Sequence, residues 1–199
     1  MLQSAHIVFI PENQQMPDAF TDVVNELPAG IKPRIVPWSG SVANGVQAVE
    51  TILDREEIRQ VILVGAGSGS AVAVHLARTQ PRRVERLILD SPLLSVDPAQ
   101  AKKLSSALKF MPNFLLRNKN KKELLAQLDE AQQQQPQTFS DIAAPTLIIA
   151  GSQQKASNFD ELASQFPHAE LRTIPGAGWL TFTTHGSATG AAMADFLKK

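Results

Sequence analysis

The chain has no cysteine among its 199 residues, which excludes disulfides, thiolate metal sites and a cysteine nucleophile. Nor does it carry an excess of one charge. Lys+Arg and Asp+Glu each total 19, so no global field draws it to nucleic acid or to acidic substrates. Its four histidines (His6, His75, His168 and His185) lack close ligand spacing, so no metal site is expected, and no cofactor either. The opening MLQSAHIVFIPENQQ lacks a basic region, and its apolar run is too short for a signal peptide or a membrane span. No internal repeat is visible. A single soluble domain of cytoplasmic type is expected, long enough to bury a substantial core.

What is present is an alternation. HIVFI (6–10), RIVPW (34–38), 61–64, VERLILD (84–90), APTLIIAG (144–151) and AELRTI (169–174) read as continuous apolar strands. Between them lie helical patterns over 17–27, with Phe20, Val23, Val24 and Leu27 inward, and over 42–54, with Val42, Val46, Val49 and Leu53 inward. Further helices are expected at 68–79, 157–166 and 187–198. Such a rhythm predicts an α/β fold: a parallel sheet covered by helices on both faces, in three layers.

The rhythm breaks at about 92–141, which predicts a small helical cap inserted into the single domain spanning 1–199. Leu104, Ala107, Leu108 and Met111 share one helical face there, and 121–131 carries Leu124, Leu125 and Leu128. QQQQPQ (132–137) reads as a polar linker back into the sheet. Between Pro98 and Lys122 there are seven Lys/Arg residues and no acid. That run reads either as a solvated helix face or as a basic surface drawn to an anionic ligand or partner.

The chemistry should lie in VILVGAGSGSAVAVHLA, Val61 to Ala77, where a strand ends in a run of small residues and opens into a helix. Together with TQPRRVERLIL (79–89), APTLIIAGSQQ (144–154) and AELRTIPGAGW (169–179), this stretch resembles the α/β-hydrolase superfamily, in a short version without the first two strands. The resemblance implies a three-layer α/β/α sandwich with a nucleophile–acid–histidine triad at the carboxyl ends of the strands. Each position carries over separately. The G-x-S-x-G elbow reads Gly65-Ala66-Gly67-Ser68-Gly69, with Gly67 at the nucleophile position. The acid position falls on Gln153 or Gln154, and an amide cannot carry the negative charge that steadies an imidazolium. The histidine position falls on Trp179, whose indole has no basic nitrogen. Pro11-Glu12 stands where the family's HG shapes the oxyanion hole.

The resulting expectation is a hydrolase-fold protein without the usual triad. It would bind a small apolar or anionic ligand or a protein partner, at a site lined by Pro11, Glu12, Gly67, Ser68, Gln153, Gln154 and Trp179 under a roof from 98–131 that includes Phe110 and Phe114. Trp179 reads either as filler for the vacated volume or as an aromatic wall opposite Gly67. Two other readings stay open. In one, the elbow slides by a residue and Ser68 acts as nucleophile with His185 as base and Asp90 as acid, giving an esterase. In the other, Gly65-x-Gly67-x-x-Ser70 with Asp90 at the end of the next strand is a dinucleotide fingerprint. His75 reads as a helix-face residue.

Overall fold

A computed structural model of the protein describes residues 6–13, 17–94, 98–112, 120–122, 124–126, 129, 138–154 and 158–199. The expected linker at 132–137 and the side chains of Leu104, Phe114 and Leu128 lie outside them. By its internal contacts the chain divides into two compact units, one of residues 1–92 with 139–199 and one of residues 93–138.

The first unit is built on six strands: β1 (His6–Ile10), β2 (Lys32–Ile35), β3 (Val61–Ala66), β4 (Val84–Asp90), β5 (Thr146–Gly151) and β6 (Ala169–Ile174). They lie in the order β2-β1-β3-β4-β5-β6 and every neighbouring pair is parallel. Both faces are covered, which is why the strands read as unbroken apolar runs rather than alternating ones. Helices α1 (Thr21–Asn25) and α6 (Thr181–Leu197) pack together on one face. There Ile7, Phe9, Ile62, Val64, Ile88, Leu147 and Ile149 meet Phe20, Val23, Phe182, Met193 and Phe196 in one core. Phe20, just before α1, stacks on Phe182 of α6 with ring centroids 4.3 Å apart, which ties the entry of one helix to the other. On the other face lie α2 (Val42–Arg55), capped by the Ser41 hydroxyl on the Asn44 amide, and α3 (Gly69–Thr79). The short α5 (Phe159–Ser164), capped by Asn158, borders β5 and β6.

Three expectations shift. The helix expected at 17–27 is a 3-10 turn (Pro17–Phe20) followed by α1, which keeps Val23 inward. The second strand runs 32–35 rather than 34–38, because its ladder to β1 ends with the Val36 amide on the Phe9 carbonyl and Pro37 has no N–H to extend it. A helical turn from Thr181 precedes the expected last helix, and a kink at His185 (φ −135°, ψ 43°) divides the two, so His185 stands where the second begins.

In the second unit, α4 (Pro98–Phe110) ends where the Lys121 ammonium donates to the carbonyls of Lys109 (2.8 Å) and Met111 (2.9 Å). A cation there satisfies two of the carbonyls that a helix end leaves free.

Candidate functional site

The end of β3 makes a sharp elbow into α3. Glycine is forced by close approach at both flanks. A Cβ on Gly65 would lie 2.6 Å from the Ser70 Cα, and one on Gly69 would lie 2.2 Å from the Ile10 carbonyl oxygen. Between them Gly67 takes φ +54°, the left-handed conformation of a strained turn apex. Its amide donates to the Asp90 carbonyl at 2.9 Å, anchoring the elbow to β4. Space does not force glycine at the apex. A Cβ there would meet the Glu12 Cγ at 3.2 Å and the Leu180 Cδ2 at 3.3 Å, both parts of side chains.

Leu180 therefore lies against the apex. Trp179, expected opposite Gly67 as filler or wall, contributes none of the three nearest atoms and keeps 39% of its surface exposed. Leu180 itself is buried and adopts φ +55° just before α6 begins. Pro11 is buried and its carbonyl accepts the Trp38 indole N–H at 2.8 Å, while the stem of the half-buried Glu12 runs past Gly67.

Behind the elbow lies a polar network that sequence reasoning did not foresee. Asp90, 2% exposed, accepts at Oδ1 from the Thr181 amide (3.2 Å) and the Ser91 hydroxyl (3.0 Å). Its Oδ2 accepts from the Phe182 amide (3.2 Å) and the Thr181 hydroxyl (3.0 Å). The carboxyl thus caps the first turn of α6 from another element, where free amides favour an anion. Burial pushes it up to about 6, against the pull of these four hydrogen bonds. Ser91 Oγ lies 3.1 Å from Gln154 Oε1 and accepts the Leu180 amide at 3.1 Å. Gln154 Oε1 also accepts the Gly151 amide at 2.7 Å, so the side chain at the family's acid position is engaged at the end of β5. Gln153 is exposed and its amide donates to the Ala177 carbonyl at 3.0 Å.

The residues of the displaced triad have other partners. Ser68, in right-handed helical conformation at the start of α3, accepts the Asn13 amide on its hydroxyl at 3.0 Å. His185 Nδ1 lies 2.9 Å from the Thr184 hydroxyl. Among the described residues no hydrogen bond joins Ser68 to His185 or His185 to Asp90. In the dinucleotide pattern, the buried Ser70 donates its hydroxyl to the Gly65 carbonyl at 3.0 Å, and the Asp90 oxygens face the start of α6. His75 lies on the exposed face of α3. Among the described residues no group of three or more His, Asp or Glu could hold a metal ion.

A parallel sheet with this elbow between β3 and α3 is the frame of one large group of proteins, and comparison bears this out. Residues 29–129, just over half of the chain, match the model of the family described as serine aminopeptidase, S33. The chain belongs to the α/β-hydrolase superfamily. Lipase LipV of Mycobacterium tuberculosis is 30% identical over 101 residues, which cover 51% of this chain and 37% of the lipase. The chain thus spans well under half the length of that curated relative. An enol-lactonase from Burkholderia xenovorans LB400 superposes with a TM-score of 0.74 at 16% identity, covering 98% of this chain and 91% of the other. A hydrolase from Pseudomonas aeruginosa PA01 gives 0.73 at 20% identity over 98% and 90% of the two chains. At such identities these structures establish the α/β-hydrolase fold alone.

Proposed function

We propose that this α/β-hydrolase-fold protein does not hydrolyse its ligand and acts by binding, the bound molecule being apolar and bearing an acyl or ester group. The observation that carries the reading is the apex itself. Gly67 holds the strained conformation of a nucleophile elbow but presents no side chain that could attack a carbonyl. Its surroundings support the same reading. The Glu12 stem and Leu180 lie beside the apex, where substrate would meet a nucleophile. Gln154 cannot serve as the acid, Trp179 cannot serve as the base, and Asp90 is engaged by four donors at the start of α6. The choice of an ester-like ligand rests on the similarity to LipV, which is named a lipase. A protein partner is the competing role.

The test pairs two measurements on the same protein. Short-chain nitrophenyl esters should be hydrolysed no faster than in buffer. Fatty acids or non-hydrolysable acyl ethers should shift the emission of the part-exposed Trp179, with Trp38→Phe removing the background of the second indole. Turnover abolished by Ser68→Ala would replace this reading with the esterase one. Unchanged emission across an acyl series would favour a protein partner.

A further inference from the structure

A binding role for the elbow region leaves the basic segment of the second unit without a purpose. Between Pro98 and Lys122 stand seven Lys/Arg residues and no acid, in a chain whose charges balance only when this segment is included. The structure gathers part of this charge at one end of one helix. Phe110, the last residue of α4, keeps 89% of its surface exposed, and Lys109 beside it is exposed as well. The Lys121 ammonium, folded back onto the carbonyls of Lys109 and Met111, holds Lys121 and the exposed Lys122 at that same end. Lys102, two turns earlier on α4, is also exposed.

The two features together select a partner. Cations alone would suit any polyanion, and a single exposed aromatic ring would suit many apolar surfaces. A ring flanked by ammonium groups matches the boundary of a bilayer, where the ring enters the acyl region and the lysines meet anionic headgroups. We propose that the carboxyl end of α4 docks on an anionic phospholipid surface, with Phe110 as the inserted ring and Lys109, Lys121 and Lys122 as the flanking cations. Among the described residues no helix is long and apolar enough to cross a membrane, so the association is peripheral. Anchoring through one ring and a few cations is reversible and sensitive to salt.

The experiment is co-sedimentation of the whole chain with vesicles, either of phosphatidylcholine alone or containing about one third phosphatidylglycerol. Binding is expected to the anionic vesicles only, and to weaken strongly between about 0.1 M and about 0.5 M salt. Phe110→Ala should lower the partition coefficient about tenfold, and Lys109→Glu with Lys122→Glu at least roughly thirtyfold. All three side chains are exposed, so the thermal midpoints of these variants should match the parent and keep the comparison interpretable. Absence of binding, or equal binding to neutral vesicles, would overturn the proposal. So would anionic binding that Phe110→Ala leaves unchanged, which would point to simple polyanion attraction of the kind a nucleic acid offers.

Discussion

Gly65 and Gly69 differ from Gly67 although all three belong to one turn. The outer two are held by geometry, since any side chain there would collide with backbone atoms of Ser70 or Ile10. The middle one is held by nothing nearby except a preference for positive φ, and its neighbours are side chains that can move. What the fold needs and what hydrolytic chemistry needs therefore come apart in five residues. The elbow survives as architecture because the β3–α3 packing requires it, and the apex is free to be occupied or bare.

That contrast orders the expected effects of mutation. The largest belongs to Gly69→Ala, whose new methyl would lie 2.2 Å from the Ile10 carbonyl oxygen. Denaturant titration should show a loss of at least about 3 kcal/mol, because backbone cannot retreat as a flexible side chain can. A loss below about 1 kcal/mol would mean that β1 and α3 are more loosely coupled than their packing indicates.

Next comes Asp90→Ala, expected to cost about 2–4 kcal/mol by leaving buried donors of Ser91, Thr181 and Phe182 without their acceptor. The same carboxyl gives a signed pH dependence. Its folded-state value is about 6, against an ordinary 3.8, so the native state holds the proton over a range where the unfolded chain has released it. The contribution of the protonated form is full below pH 3.8 and is lost as pH rises to about 6. Stability of the parent relative to Asp90→Asn should therefore fall across that window and level off above it. A parallel pair of pH–stability curves would contradict the assignment.

Trp38→Phe is smaller, about 1–2 kcal/mol, through loss of the indole bond to the Pro11 carbonyl behind the Glu12 turn. The smallest effect on stability belongs to Gly67→Ser, about 1 kcal/mol for a side chain at positive φ with no clash against backbone. The variant should fold and remain inactive on esters, since an unassisted hydroxyl is a poor nucleophile. Clear turnover would reveal a base near the apex.

The parallel sheet and the elbow were legible because each strand is an unbroken apolar run and the turn carries its glycines in sequence. The boundaries of β4 and β6 came out of the pattern directly. What surrounds the apex did not. Ser91 (φ +50°) and Leu180 (φ +55°) are non-glycine residues in left-handed conformation, and no local signal marks such positions. Leu180, buried and in left-handed conformation, stands against Gly67 in the place expected for Trp179. The network around Asp90 joins residues about ninety positions apart, so periodicity cannot reveal it. The position of Asp90 at the end of an apolar strand was the one available hint. His185 sits in the kink of α6 from which the last helix runs, as the pattern suggested.

An α/β-hydrolase frame here surrounds an apex, Gly67, that has no side chain. The most direct measurement is intact-protein mass after incubation with a fluorophosphonate probe, compared with Ser68→Ala. If the protein acts by binding alone, the mass of both proteins stays unchanged. A stoichiometric adduct on the parent that disappears in Ser68→Ala would contradict it and place the nucleophile one residue beyond Gly67.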